Sequence, residues 1–246
     1  MRKRRLPAGT SLPYCFGAQR IDLAWFLSGA NMFRQILPST IVSVERSDPS
    51  TGVLLPEEER LVASAVPKRI AEFAMGRTCA RDAFKLLGVP IGPVLQGPAR
   101  EPLWPEGIVG SITHCERYYA AALAFRKDIA SVGIDAEPNE PLSNDVLAMI
   151  AQDQEVRHLN RWKHEDNICW DRLLFSAKES LYKAWYPLTK SWLGFKDARI
   201  YPNASTRSFT INVAHPSLKI ANTYRSFNGR FTCNREYIFT SVVVYS

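Results

Sequence analysis

Three strand-like runs, at residues 108–113, 118–125 and 129–134, follow one another with only short turns between them. Turns this short make successive strands antiparallel neighbours, because a parallel neighbour needs a crossover of about a dozen residues. The middle of the chain is therefore expected to be an antiparallel meander. Upstream, Ile70, Phe73, Ala80, Phe84 and Leu87 recur at helical spacing, which predicts a helix over 67–87 that stops at Gly88, with Pro90 just beyond. Pro56-Glu57-Glu58-Glu59 opens another helix, since carboxylates favour its positive end. Downstream, helices are expected over 145–159 and 171–185, the second with Leu174, Ala177, Leu181 and Trp185 on one face, and strands at 198–201, 208–213, 230–233 and 237–244. Residues 1–18 read as an arm, 22–37 as a helix or strand, and 47–52, 92–105 and 138–143 as connectors. Each half thus holds helices and a small sheet, an α+β arrangement.

Hydrophobic residues make up 46% of the chain, enough for a buried core. No run approaches the roughly 18–20 apolar residues of a membrane span. The basic start, Met1-Arg2-Lys3-Arg4-Arg5, leads into no apolar stretch, so no secretory signal is expected. Five widely spaced cysteines without a C-x-x-C predict reduced thiols in a cytoplasmic protein, rather than a disulfide framework or a zinc site. Net charge is +7, yet residues 101–150 carry −5. A basic body suits an anionic partner such as nucleic acid, a phosphorylated cofactor or an acidic protein. A local acidic patch suits a metal ion.

Three short segments carry candidate chemistry. In Val132-Gly133-Ile134-Asp135-Ala136-Glu137, strand alternation puts Asp135 and Glu137 on one face, about 6–7 Å apart. Two such carboxylates repel unless a cation sits between them, and magnesium takes hard oxygen ligands. The plain alternative is a solvated strand end contributing little packing. In Phe175-Ser176-Ala177-Lys178-Glu179-Ser180-Leu181-Tyr182-Lys183-Ala184-Trp185, Glu179 and Lys183 share a helix face; alone they would be an ordinary surface pair worth about 0.2–0.5 kcal/mol. In Gly110-Ser111-Ile112-Thr113-His114 a strand ends on a hydroxyl and an imidazole, which could bond a phosphate or could simply be structural.

Taken in order, these segments resemble the surfactin-type 4'-phosphopantetheinyl transferases, above all the subgroup serving siderophore synthetases, typified by the enterobactin-synthetase component and its mycobacterial relatives. The likeness includes Trp104-Pro105, Gly110 to His114, Gly133 to Glu137 and Ala177 to Ala184. It extends to Lys68-Arg69 through Arg81 and to Trp192-Leu193-Gly194-Phe195, covering roughly residues 55–200. It implies a monomer of two similar α/β halves in pseudo-twofold arrangement, here 1–128 and 129–246, with coenzyme A between them. It implies transfer of the 4'-phosphopantetheine group from coenzyme A to a serine of an apo acyl or peptidyl carrier protein, with release of 3',5'-ADP. Asp135, Glu137 and Glu179 would hold Mg2+, or Mn2+. Lys183 would contact the phosphates, with Lys178 nearby; Thr113 and His114 would hold the nucleotide end, and Arg69, Arg77 and Arg100 its phosphates. Arg77 and Arg81 share a helix face, and guanidinium forks suit phosphate. Glu155 is the nominee for the base that takes the serine proton.

Other readings have less behind them. Ser180-Leu181-Tyr182-Lys183 matches the S-x-x-K of penicillin-binding proteins, but neither Ser-Asp-Asn nor Lys-Thr-Gly follows. There is no P-loop, and His164-Glu165 lacks the second histidine of a zinc protease. No nucleic-acid recognition motif accompanies the positive charge, so no nucleic acid is expected as partner. A non-catalytic coenzyme A or carrier-binding protein on the same fold is the alternative; the presence of all three carboxylates favours an enzyme. The sequence leaves open whether fatty-acid, polyketide or nonribosomal-peptide carriers are served.

Overall fold

The computed structural model describes residues 31–47, 52–162, 167–214 and 225–246. The arm at 1–18, most of the element at 22–37, part of the connector at 47–52, Cys15 and His164-Glu165 lie outside them. Among the described residues the protein is α+β, with two larger antiparallel sheets, each backed by one long helix, and a small two-stranded one.

The first sheet has the order β1 (Val42–Arg46), β5 (Tyr118–Phe125), β4 (Ile108–Cys115). The one-turn helix α1 (Pro56–Glu59) leads towards α2 (Pro67–Leu87), which has the expected bounds. Proline stands in its first turn, and Gly88 ends it at a φ of 70°, its N–H reaching the carbonyls of Lys85 and Phe84. Phe73, Ala80 and Phe84 are buried where α2 covers β5 and β1. Strand β1 was not anticipated. Its buried Ser43 and Glu45 disguise the apolar pattern; Glu45 is satisfied by the Met32 and Phe33 N–H groups at 2.9 and 2.8 Å and by the Tyr118 hydroxyl.

The expected meander stops after two strands. Both edges of β5 are taken, by β1 and β4, so β6 (Ile129–Pro138) pairs elsewhere, with β10 (Tyr237–Tyr245). The second sheet runs β6, β10, β9 (Ser226–Cys233), β8 (Ser208–Val213), β7 (Ala198–Asn203). The 92–105 connector contributes only the two-residue strands β2 (Leu95–Gln96) and β3 (Pro102–Leu103).

The single helix expected over 145–159 is two, α3 (Asn144–Ile150) and α4 (Asp153–Trp162). Ala151 between them is extended, at φ −90° and ψ 145°. The break is stabilised by side chains: Lys178 Nζ, from outside the segment, donates to the Ile150 carbonyl, and within it the Gln152 N–H donates to Glu155. Helix α5 (Trp170–Thr189) covers β6 and β10, burying Leu174, Ala177, Leu181 and Trp185 as its periodicity required.

The two sheets share a core. Val109, Ala120 and Ala122 of the first pack with Val132, Ile134, Ala136 and Phe239 of the second. Their edges also meet through side chains. Ser111 and Thr113 of β4 accept hydrogen bonds from the Ile134 and Ala136 N–H groups of β6, at 3.1 and 3.2 Å. Two hydroxyls thus replace backbone carbonyls and satisfy donors that an uncovered strand edge would leave unpaired.

Candidate active site

The site is built on a match of periods between β6 and α5. Alternate residues of β6 face the helix and meet it at every fourth position. Ser131 donates to the Ala184 carbonyl at 2.8 Å, Gly133 lies against Ser180, Asp135 takes the Ser176 hydroxyl at 2.8 Å, and Glu137 takes Arg172 at 2.9 Å. Two residues of strand advance about 6.6–6.8 Å and four of helix about 6 Å, so the contacts stay in step along the whole interface. The register depends on Gly133. A Cβ there would sit 1.9 Å from the Ser180 carbonyl oxygen and 2.7 Å from the Ala184 nitrogen, so only glycine lets the helix come this close.

This approach sets Lys183 on Asp135, Nζ to Oδ1, at 2.6 Å. Asp135 is only 3% exposed, and its Oδ1 also receives the Thr113 hydroxyl at 3.1 Å. Burial and then the charge of Asp135 raise Glu137 to about 7, despite its pairing with Arg172. Burial and the same neighbour raise Glu179, against the opposing pull of Lys183. Burial lowers the Lys183 ammonium, but Asp135, Glu179 and Glu137 outweigh it and hold the amine above its ordinary range. Asp135, Glu137 and Glu179 therefore form one electrostatically coupled group with Lys183 among them.

Among the described residues no three histidine, cysteine or acidic side chains converge into a ready metal cage. The donor set nevertheless fits a hard divalent cation. It is made of carboxylate oxygens, two of them costly to ionise where they lie, and a cation would relieve that cost. Magnesium commonly uses one or two protein carboxylates and completes its shell with phosphate oxygens and water.

The other wall comes from β4 and α2. Strand alternation turns Ser111 and Thr113 towards β6, and Ile112 and His114 towards α2. Arg69 Nη1 lies 2.7 Å from His114 Nε2, an acceptor role that requires the neutral ring. Burial, and then Arg69 and Lys183, lower the imidazole, while Glu72 opposes. Arg77 stacks 3.6 Å over the Phe73 ring and donates from Nε to the Val94 carbonyl at 3.2 Å. Its Nη2 is buried with no protein partner. Burial lowers this guanidinium to about 10, which leaves it charged at neutral pH.

The remaining expected site residues are placed as follows. Glu155 and Lys178 are buried against each other at 2.8 Å, each side chain 2% exposed. The remaining oxygen of Glu155 receives the Ile200 N–H, and Lys178 also donates to the Ile150 and Phe195 carbonyls. Both residues brace α4 against α5 and β7, and both oxygens of Glu155 are engaged within the protein. Thr113, 2% exposed, bonds Asp135 and Ala136 rather than offering its hydroxyl to a nucleotide. Arg81 is engaged by the buried Glu58 at 2.7 Å. Arg100 is exposed in the turn after β2, at a φ of 64°. Ser176, Arg172 and Thr240 were missed. Ser176 stands inside the quoted motif; the other two carry no local signal.

Comparison with known proteins identifies a family. The model of the 4'-phosphopantetheinyl transferase N-terminal domain matches residues 57–124, and that of the 4'-phosphopantetheinyl transferase superfamily matches residues 131–239. The chain is 42% identical to the 4'-phosphopantetheinyl transferase Svp of Streptomyces mobaraensis over 219 residues, 87% of this chain and 89% of that protein. It is 42% identical to the 4'-phosphopantetheinyl transferase PptT of Mycobacterium tuberculosis over 203 residues, 80% and 89% of the two chains. Enterobactin synthase component D of Salmonella typhi is 31% identical over 186 residues, 74% and 72% of the two chains.

Proposed function

The chain belongs to the 4'-phosphopantetheinyl transferase superfamily and modifies carrier proteins with the phosphopantetheine group of coenzyme A; from that premise we propose how its own residues do so. The observation that carries the reading is the β6–α5 register, which gathers Asp135, Glu137, Glu179 and Lys183 beside the Arg69–His114 pair. The halves 1–128 and 129–246 supply the two walls, and coenzyme A lies between them.

Arg69 and His114 bind the nucleotide end, and Arg77 offers its unpartnered Nη2 to a phosphate. Lys183, its side chain one quarter exposed (25%), holds the pyrophosphate and stabilises the leaving 3',5'-ADP as the carrier serine attacks the phosphorus bearing the pantetheine arm. Asp135, Glu137 and Glu179 hold Mg2+, or Mn2+. When bound, the ion supplies charge neutralisation at the pyrophosphate. The enzyme acts as a monomer in the cytoplasm on acidic acyl or peptidyl carriers. Among the described residues no helix is long and apolar enough to cross a membrane.

Incubation of the protein with coenzyme A, magnesium and an apo carrier tests the reading by mass spectrometry. The carrier is expected to gain one phosphopantetheine group, and the gain to vanish with a chelator and return with magnesium. An unmodified carrier overturns the activity; modification indifferent to chelation overturns the metal assignment alone.

A further inference from the structure

We propose that Ser176 and Thr240 form a hydroxyl relay that positions Asp135, tying its Oδ2 back into the fold so that Oδ1 remains the oxygen directed at Lys183 and the cation. The inference rests on the metal reading above.

The relay joins three elements. Asp135 and Thr240 are paired across β6 and β10, and Ser176 reaches both from α5. Ser176 Oγ lies 2.8 Å from Asp135 Oδ2 and 2.9 Å from Thr240 Oγ1, while Thr240 Oγ1 is 2.9 Å from the Ser176 carbonyl. Ser176 and Thr240 are both fully buried.

Proton counting gives the relay a direction. An ionised Asp135 only accepts, so the single Ser176 hydrogen goes to Oδ2. Thr240 then uses its own hydrogen towards Ser176, at the hydroxyl or the carbonyl oxygen. Thr240 has an acceptor of its own in the Ser176 carbonyl, whereas the one Ser176 hydrogen is committed to Oδ2. The other carboxylate oxygen is held differently. Oδ1 receives Thr113 at 3.1 Å and Lys183 at 2.6 Å, and Lys183 is the partly exposed member of the set. One oxygen is thus locked to the interior and the other presented.

A buried hydroxyl on the packed face of a helix is costly unless it is bonded, so alanine would suit helix–strand packing at Ser176 equally well. The hydroxyl serves Asp135. Partners behind a metal ligand typically contribute about 10–100-fold to metal affinity.

The test is Mn2+ binding at saturating coenzyme A, read as loss of the free-Mn2+ electron paramagnetic resonance signal after subtraction of a coenzyme A blank. Ser176→Ala is expected to weaken binding about tenfold or more, Thr240→Val to weaken it in the same direction by less, and Thr240→Ser to retain wild-type affinity. Thermal unfolding is followed in parallel. A purely structural role would lower the melting temperature of Ser176→Ala and Thr240→Val without changing Mn2+ affinity, and that result overturns the relay while the metal reading stands. If Ser176→Ala fails to fold, the Thr240→Val and Thr240→Ser pair decides by the same criterion. A wild-type protein that binds no Mn2+ overturns the metal reading, and the relay with it.

Discussion

Lys183 Nζ rests 2.6 Å from Asp135 Oδ1, with the Ile134 carbonyl at 3.2 Å and Thr113 Oγ1 at 3.3 Å completing its surroundings. A helix residue and a strand residue 48 positions apart thus form one charged unit at the floor of the site. Asp135 is the acceptor on which Lys183, Ser176 and Thr113 converge, not a solvated strand end.

Asp135→Ala should therefore abolish transfer and also destabilise the protein. Three donors would lose their acceptor, and leaving a buried donor unpaired costs about 1–3 kcal/mol. Urea denaturation should show a lowered midpoint with the slope unchanged. Stability equal to wild type would mean that the three contacts do not persist in solution.

Gly133→Ala tests the helix–strand approach. The added methyl would meet the Ser180 carbonyl oxygen and the Ala184 nitrogen, both helix backbone, so the helix must move. Overpacking of this kind costs about 1–3 kcal/mol, and displacement of Glu179 and Lys183 should lower turnover more than tenfold. Turnover at wild-type level would show that close packing at this point does not set the site.

Glu155→Gln separates bracing from chemistry. Breaking a buried ion pair by removing one partner costs about 3–5 kcal/mol, and both side chains here are 2% exposed. The variant should melt well below wild type yet retain most of its turnover per folded molecule at low temperature. Full stability with turnover lowered about 10²–10⁴-fold would instead restore Glu155 as the base.

Carrier recruitment should depend on salt. The chain is net positive outside residues 101–150, and the Debye length falls from about 10 Å at 0.1 M salt to about 3 Å at 1 M. Raising salt from about 0.05 to 0.5 M should increase the carrier KM while leaving turnover at saturating carrier and coenzyme A much less changed. The competing surface is apolar: Trp192 is 71% exposed, its ring beside Tyr182. Docking there would be flat or slightly strengthened by salt, so a salt-independent KM would point to Trp192 rather than to the basic surface.

Local pattern sufficed for much of this protein. Helix α2 has the bounds its periodicity and Gly88 dictate, and the buried face of α5 follows from Leu174, Ala177, Leu181 and Trp185, because these signals lie within the few turns that form the element. Alternation along β6 likewise put Asp135 and Glu137 on one face. Three things were decided by tertiary structure. β6 pairs with β10 because β1 already covers the free edge of β5, a competition between strands more than eighty residues apart in the chain. Helix 145–159 breaks because Lys178 and Glu155, brought together by packing, satisfy backbone groups that an unbroken helix would otherwise pair. And Glu155 and Asp135 have different surroundings because burial and partners, rather than residue type, determine what a charged group does. Glu155 is enclosed by Lys178 and two backbone amides, whereas Asp135 keeps one oxygen turned to Lys183. Residue type marks a carboxylate as able to bind or brace; only the groups that the fold sets around it select between the two.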